Sequence, residues 1–155
     1  MKKWWIVGAI LLGLMSCDDT SYSGNPVPFA PVAYEVNITS DYPHLNKDNG
    51  FGEKQRLIVT KKRFEYDYIG YAGLLIWVGM DNAYHAADLC CPYCLNRNVP
   101  VTIDGLWAKC PNCEEEYDIS FGYCSPHYGI SKYPLKPYTV QELNSPTGKK
   151  LRVSN

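Results

Sequence analysis

Basic runs are missing from this chain. Lys and Arg number 15 against 16 Asp and Glu, and setting aside Lys2 and Lys3 leaves 13 against 16, a net charge of −3. No stripe of positive charge is available to follow a phosphate backbone, which excludes nucleic acid as a partner. Helical periodicity is hard to find, and no segment repeats at solenoid or propeller periods. Histidine is scarce: His44, His85 and His127 are the three present, each expected as a surface or packing residue. No apolar run reaches the roughly 20 residues that span a bilayer. The longest, Trp4 to Met15, stops after a dozen.

That short run is informative for what surrounds it. Lys2 and Lys3 precede it and Leu14-Met15-Ser16-Cys17 ends it, the pattern of a secretory signal that closes on a bacterial lipobox. Residues 1–17 are therefore expected to be a lipoprotein signal, with Cys17 acylated as the mature N-terminus and the membrane as a partner through that anchor. Residues 18–31, polar and then Pro-rich, are expected to form a flexible tether. The compartment is then the bacterial cell envelope, outside the cytoplasm. Residues 32–155 are of a length that suits one core.

Within that domain the pattern is one of strands. Val32 to Thr39, Gln55 to Lys62 and Leu74 to Met80 are rich in β-branched and aromatic residues, with turn signals at Asn49-Gly50, Gly70 and Asp81-Asn82. The continuous run at Leu74 predicts the most buried strand, and Ala83 to Leu89 returns beside it. A second hairpin is predicted about Asp104-Gly105 and a closing one about Ser145-Pro146-Thr147-Gly148. The fold class is all-β, an antiparallel sheet or sandwich with two metal-knuckle loops at hairpin ends.

Cysteine is what the chain has in excess, with 7 residues. Four form two C-P-x-C knuckles, Cys91-Pro92-Tyr93-Cys94 and Cys110-Pro111-Asn112-Cys113, separated by fifteen residues. This spacing suits four thiolates arranged tetrahedrally around one ion, with no position left open for catalysis. Three chemistries remain: a mononuclear ion with zinc placed first, a 2Fe–2S cluster second, and disulfides third. Cys90 and Cys124 are left over as an even pair, which invites a bridge between them. No βαβ pattern surrounds the knuckles to suggest a thiol oxidoreductase. The acidic run Glu114-Glu115-Glu116 is expected to be a solvated face and not an acid/base pair, so no hydrolase or transferase chemistry is expected.

The order of these parts resembles the Rieske iron–sulfur domain. In that family one hairpin ends in C-x-H and the next begins with C-x-x-H, with eighteen residues between the cysteines, as there are between Cys91 and Cys110. The family's C-P-x-H-G-x-x-F-D is similar to the run from Cys110 to Asp118. Its later G-x-V, G-P-A and P-L-x-x-Y elements are similar to Gly122-Tyr123-Cys124, Gly129-Ile130-Ser131 and Pro134-Leu135-Lys136-Pro137-Tyr138. The resemblance implies a Rieske-like fold with its metal-binding subregion at about residues 90–130. Both ligand histidines are replaced, by Tyr93 (with Cys94 one residue on) and by Cys113. An all-cysteine 2Fe–2S cluster would have a low potential and would make the chain an electron carrier to a membrane partner. A zinc would make it a binding or assembly module in the envelope. Export without a twin-arginine signal favours an ion that binds after translocation.

Overall fold

The computed structural model describes residues 24–155. The expected signal segment, Cys17 and residues 18–23 lie outside the described residues.

Among the described residues, eleven strands form two antiparallel sheets. They are β1 (Val32–Asn37), β2 (Arg56–Val59), β3 (Tyr68–Ile69), β4 (Leu74–Val78), β5 (Tyr84–Asp88), β6 (Thr102–Asp104), β7 (Trp107–Lys109), β8 (Glu116–Asp118), β9 (Ser125–Tyr128), β10 (Pro137–Ser145) and β11 (Gly148–Ser154). The larger sheet runs β2-β4-β5-β10-β11-β1-β3, and the smaller runs β6-β7-β8-β9. The only helical turns among the described residues are two 3-10 turns, Pro43–Leu45 and Lys47–Asn49. The all-β expectation holds.

The turns form where the sequence allows them. Asn82, at φ 58°, reverses the chain between β4 and β5, and Gly105, at φ 52°, does so between β6 and β7. Both are positions where Asn and Gly carry little of the steric cost of left-handed backbone. The closing hairpin pairs Ser145 with Gly148, and β11 returns along β1 in register from Ala33–Ser154 to Asn37–Lys150.

Strand β4 explains its own continuous apolar run. Every residue of it is buried. Leu74, Ile76 and Val78 point into a core shared with Tyr34, Val36, Leu151 and Val153. Leu75 and Trp77 point the other way, into a second core with Leu89, Val101, Ala108, Tyr117 and Ile119. Alternate side chains of one strand thus serve two cores, which removes the usual polar face. The Trp77 indole N–H donates to the Ile119 carbonyl at 2.8 Å and ties the smaller sheet to the larger.

Residues 24–31 do not hang free of the domain. Val27 is buried. The Asn25 amide donates to the Pro134 carbonyl at 2.7 Å, and Lys136 Nζ donates to the carbonyls of Val27 and Pro28 at 3.3 and 3.1 Å. The Gly70 amide donates to the Pro31 carbonyl at 3.1 Å. Proline lacks a donor but keeps its carbonyl, so apart from the bond that Asn25 donates this Pro-rich stretch docks by accepting bonds. Composition alone does not disclose such docking.

Candidate metal centre

The first knuckle follows β5 directly, and the second is the loop joining β7 to β8. Both are built on one local design. The Leu95 amide donates back to the Cys91 carbonyl at 2.9 Å, and the Glu114 amide to the Cys110 carbonyl at 2.9 Å. Leu95 and Glu114 each take left-handed backbone, φ 54° and φ 60°. The turn closes on itself four residues on and directs both cysteine sulfurs to one side. Below the second knuckle, the Cys110 amide donates to the Glu115 carbonyl at 2.8 Å and starts the β7–β8 ladder.

The two knuckles face each other. Cys91 Sγ lies 3.7 Å from Cys113 Sγ, and Cys94 Sγ lies 3.7 Å from Cys110 Sγ. All four sulfurs lie within 4.8 Å of one another. These separations are far beyond a disulfide bond of about 2.05 Å, and all six described cysteines are free thiols. The first cysteine of each knuckle is buried and the second is half-buried, so the cluster is seated on the second core and open on one side. Four cysteine sulfurs at this spacing can hold a metal ion.

Two neighbours reach the sulfurs. The Tyr117 hydroxyl lies 3.2 Å from Cys91 Sγ, and the Asn112 amide group donates to Cys94 Sγ at 3.3 Å. Burial, with the adjacent thiols, pushes the Cys113 thiol well above its ordinary value. Without an ion Cys113 therefore holds its proton, which an ion must displace on binding. Tyr117 stands at the aromatic position of the C-P-x-H-G-x-x-F-D resemblance, whereas Asn112 carries no spacing signal and only the folded turn brings it to the sulfurs.

Two buried carboxylates brace the knuckles. Asp88, at the end of β5, accepts from the amides of Tyr71 (2.6 Å), Ala72 (3.0 Å) and Cys90 (2.8 Å) and from the Tyr138 hydroxyl (2.6 Å). Burial, and then the Asp88 charge, pushes the Tyr138 hydroxyl above its ordinary range. Glu115 is buried and accepts from the amides of Ile130 (2.7 Å) and Ser131 (2.9 Å). The expectation of a solvated acidic face is thus corrected at Glu115. Its neighbours behave as expected: Glu114 is exposed, and Glu116 pairs with Lys109 at 3.1 Å.

The remaining candidates lie apart from the sulfurs. The expected Cys90–Cys124 bridge is not formed. Cys90 turns from its neighbour Cys91, as alternation along an extended chain requires, and its Sγ lies 3.6 Å from the Cys91 carbonyl. Cys124 is packed in the second core at φ 49°. Burial pushes both thiols up to about 12, with Asp88 adding at Cys90 and Asp118 at Cys124. None of the histidines joins the cluster. His85 bonds to Asp81 at 2.9 Å, His127 stacks on Trp107 with ring centroids 3.9 Å apart, and His44 is exposed near the Arg56 carbonyl.

No family model, curated protein or solved structure matches the chain. The function therefore has to be argued from the four sulfurs and what surrounds them.

Proposed function

We propose that Cys91, Cys94, Cys110 and Cys113 hold one zinc ion as a structural fastener, in a lipid-anchored envelope protein whose Rieske-like domain is a binding or assembly module. The spacing of the sulfurs carries this reading. A tetrahedron with zinc–sulfur bonds of about 2.3 Å has edges of about 3.8 Å. The two cross-knuckle separations are 3.7 Å. Two irons bridged by sulfides would hold one pair of cysteines away from the other along the iron–iron axis. The mutual limit of 4.8 Å favours a single ion.

The four thiolates complete the ion's shell, and Asn112 and Tyr117 offset part of their charge. Zinc supplies cohesion there and no reaction. The Rieske-like part of the reading is supported by the order of parts: one knuckle links the larger sheet to the smaller, and the other joins two strands of the smaller sheet. The anchor is supported by the run from Lys2 to Cys17.

Metal analysis and absorption of protein purified from its native host test the centre. One zinc per chain and no visible colour are expected. Two irons with acid-labile sulfide would replace the fastener with a low-potential electron carrier, and a metal-free protein would remove both readings. Acyl labelling tests the anchor separately: it should be lost in Cys17→Ser, and normal labelling of that variant would refute the lipoprotein.

A further inference from the structure

We infer that strand β9 and the loop after it (residues 125–133), with Phe29 near Lys136, form the face of the domain that rests on the lipid bilayer. The inference rests on the acylation of Cys17 and adds to it which surface meets the membrane.

The tether sets the geometry. Six residues separate Cys17 from Gly24, and fully extended they span at most about 25 Å. A domain of this size is roughly 35 Å across, so the side from which residue 24 emerges has to face the membrane. That side is defined by contacts. A Cβ on Gly24 would lie 3.8 Å from the Tyr133 ring, and Asn25 bonds to the Pro134 carbonyl. Lys136 joins the same surface, with its ammonium 5.7 Å from the centroid of the Phe29 ring. The bonds from Asn25 and Lys136 keep this orientation from being free.

What is exposed there has the chemistry of a bilayer interface. Every residue from Ser125 to Ile130 is exposed. Ile130 and Phe29 are each 70% exposed, Tyr128 66% and Tyr133 43%. Isolated apolar side chains in water need no explanation, but here Tyr133 lies beside Gly24, Phe29 lies beside Lys136, and Tyr128 and Ile130 stand on the segment that leads to Tyr133. Tyrosine and lysine at such a place match the residues that anchor proteins at headgroup level. Between Asp118 and Glu142 the chain carries no acidic residue, whereas Lys132 and Lys136 both lie in it. Asp18 and Asp19 beside the acylated residue oppose a purely charge-driven contact. The apolar insertion of Ile130 and the rings is therefore the main attraction. The loop can bear this because Glu115 fastens its backbone from beneath through the Ile130 and Ser131 amides.

The full acylated chain is placed in vesicles of phosphatidylethanolamine and phosphatidylglycerol doped with a lipid bearing a diazirine near the glycerol. After irradiation, peptide mass mapping should find label on residues 125–136 and on Phe29. Ile130→Asp with Tyr133→Asp should lower that label at least fivefold while metal content and acylation stay unchanged, since both side chains are exposed. An acylated chain labelled on another face, or only within residues 17–23, overturns this inference and leaves the anchor standing. A chain whose intact mass shows no acyl group overturns both. Loss of label with concentration-dependent pairing of chains would assign the patch to a second copy instead, and also overturns it.

Discussion

Leu95 and Glu114 are placed where side chains are costly. Each holds left-handed backbone at the close of a knuckle, a conformation that costs a residue with a Cβ about 1 kcal/mol relative to glycine. Glu114 is exposed and its carboxylate has no bond that the turn requires. Glu114→Gly is expected to raise stability by up to about 1 kcal/mol, read from denaturant midpoints at unchanged metal content. The ligands work in the opposite direction. Structural zinc can contribute about 10 kcal/mol or more at neutral pH, comparable to the whole stability of a domain. Cys94→Ser or Cys113→Ser should release the metal and lower Tm by about 10 °C or more, whereas Cys90→Ser should keep its metal. The four-cysteine cluster was legible from spacing alone. The left-handed residues were not, because neither is the glycine that would have marked them.

At the scale of elements, the knuckles depend on what the strands deliver to them. Asp88 closes β5 with four donors on two oxygens, and the last of its amide donors belongs to Cys90, next to Cys91 of the first knuckle. An asparagine there offers one oxygen and turns an amine toward two of those donors. Asp88→Asn is expected to cost about 2–3 kcal/mol and to weaken metal retention against a chelator. Retention equal to that of the unsubstituted protein would show that β5 does not position the knuckle. Strands β4, β5, β10 and β11 were legible because their periodicity and turns agree. Strand β3, with two residues, and strand β9, exposed throughout and containing Pro126, offer no such pattern. They exist because neighbours recruit them, β1 in the first case and β8 in the second.

For the whole molecule, buried acids with raised values set the response to alkali. Cys124 goes from an ordinary 9.0 to about 12, and Tyr34, in the larger core, from 10.0 to about 12, both through burial. The unfolded chain therefore loses these protons first. Their contribution to stability is complete below pH 9 and declines as pH rises through 9 to 12. Thermal melts should show Tm falling across that window, and Cys124→Ala should make the fall shallower. An unchanged slope in that variant would assign the effect to Cys90 and the tyrosines. The N-terminal docking of residues 24–31 was not legible, since its anchors, Pro134 and Lys136, lie more than a hundred positions away.

Strand β1 has as its partner β11, more than a hundred positions on. Its register with β11 begins at Ala33–Ser154, and the Val32 amide donates to the side chain of Asn155 at 2.6 Å. A chain exported N-terminus first would present β1 outside the membrane before its mate has crossed. Through that interval Val32, Tyr34 and Val36, which are buried at the finish, have nothing to pair with. Pairings so distant in sequence form slowly, and an unpaired apolar strand is the kind of segment that sticks to its like. If the chain is exported as proposed, its secretion should be sensitive to holdase supply. Deleting residues 148–155 should leave a species that aggregates or is degraded, never a slightly shorter folded domain.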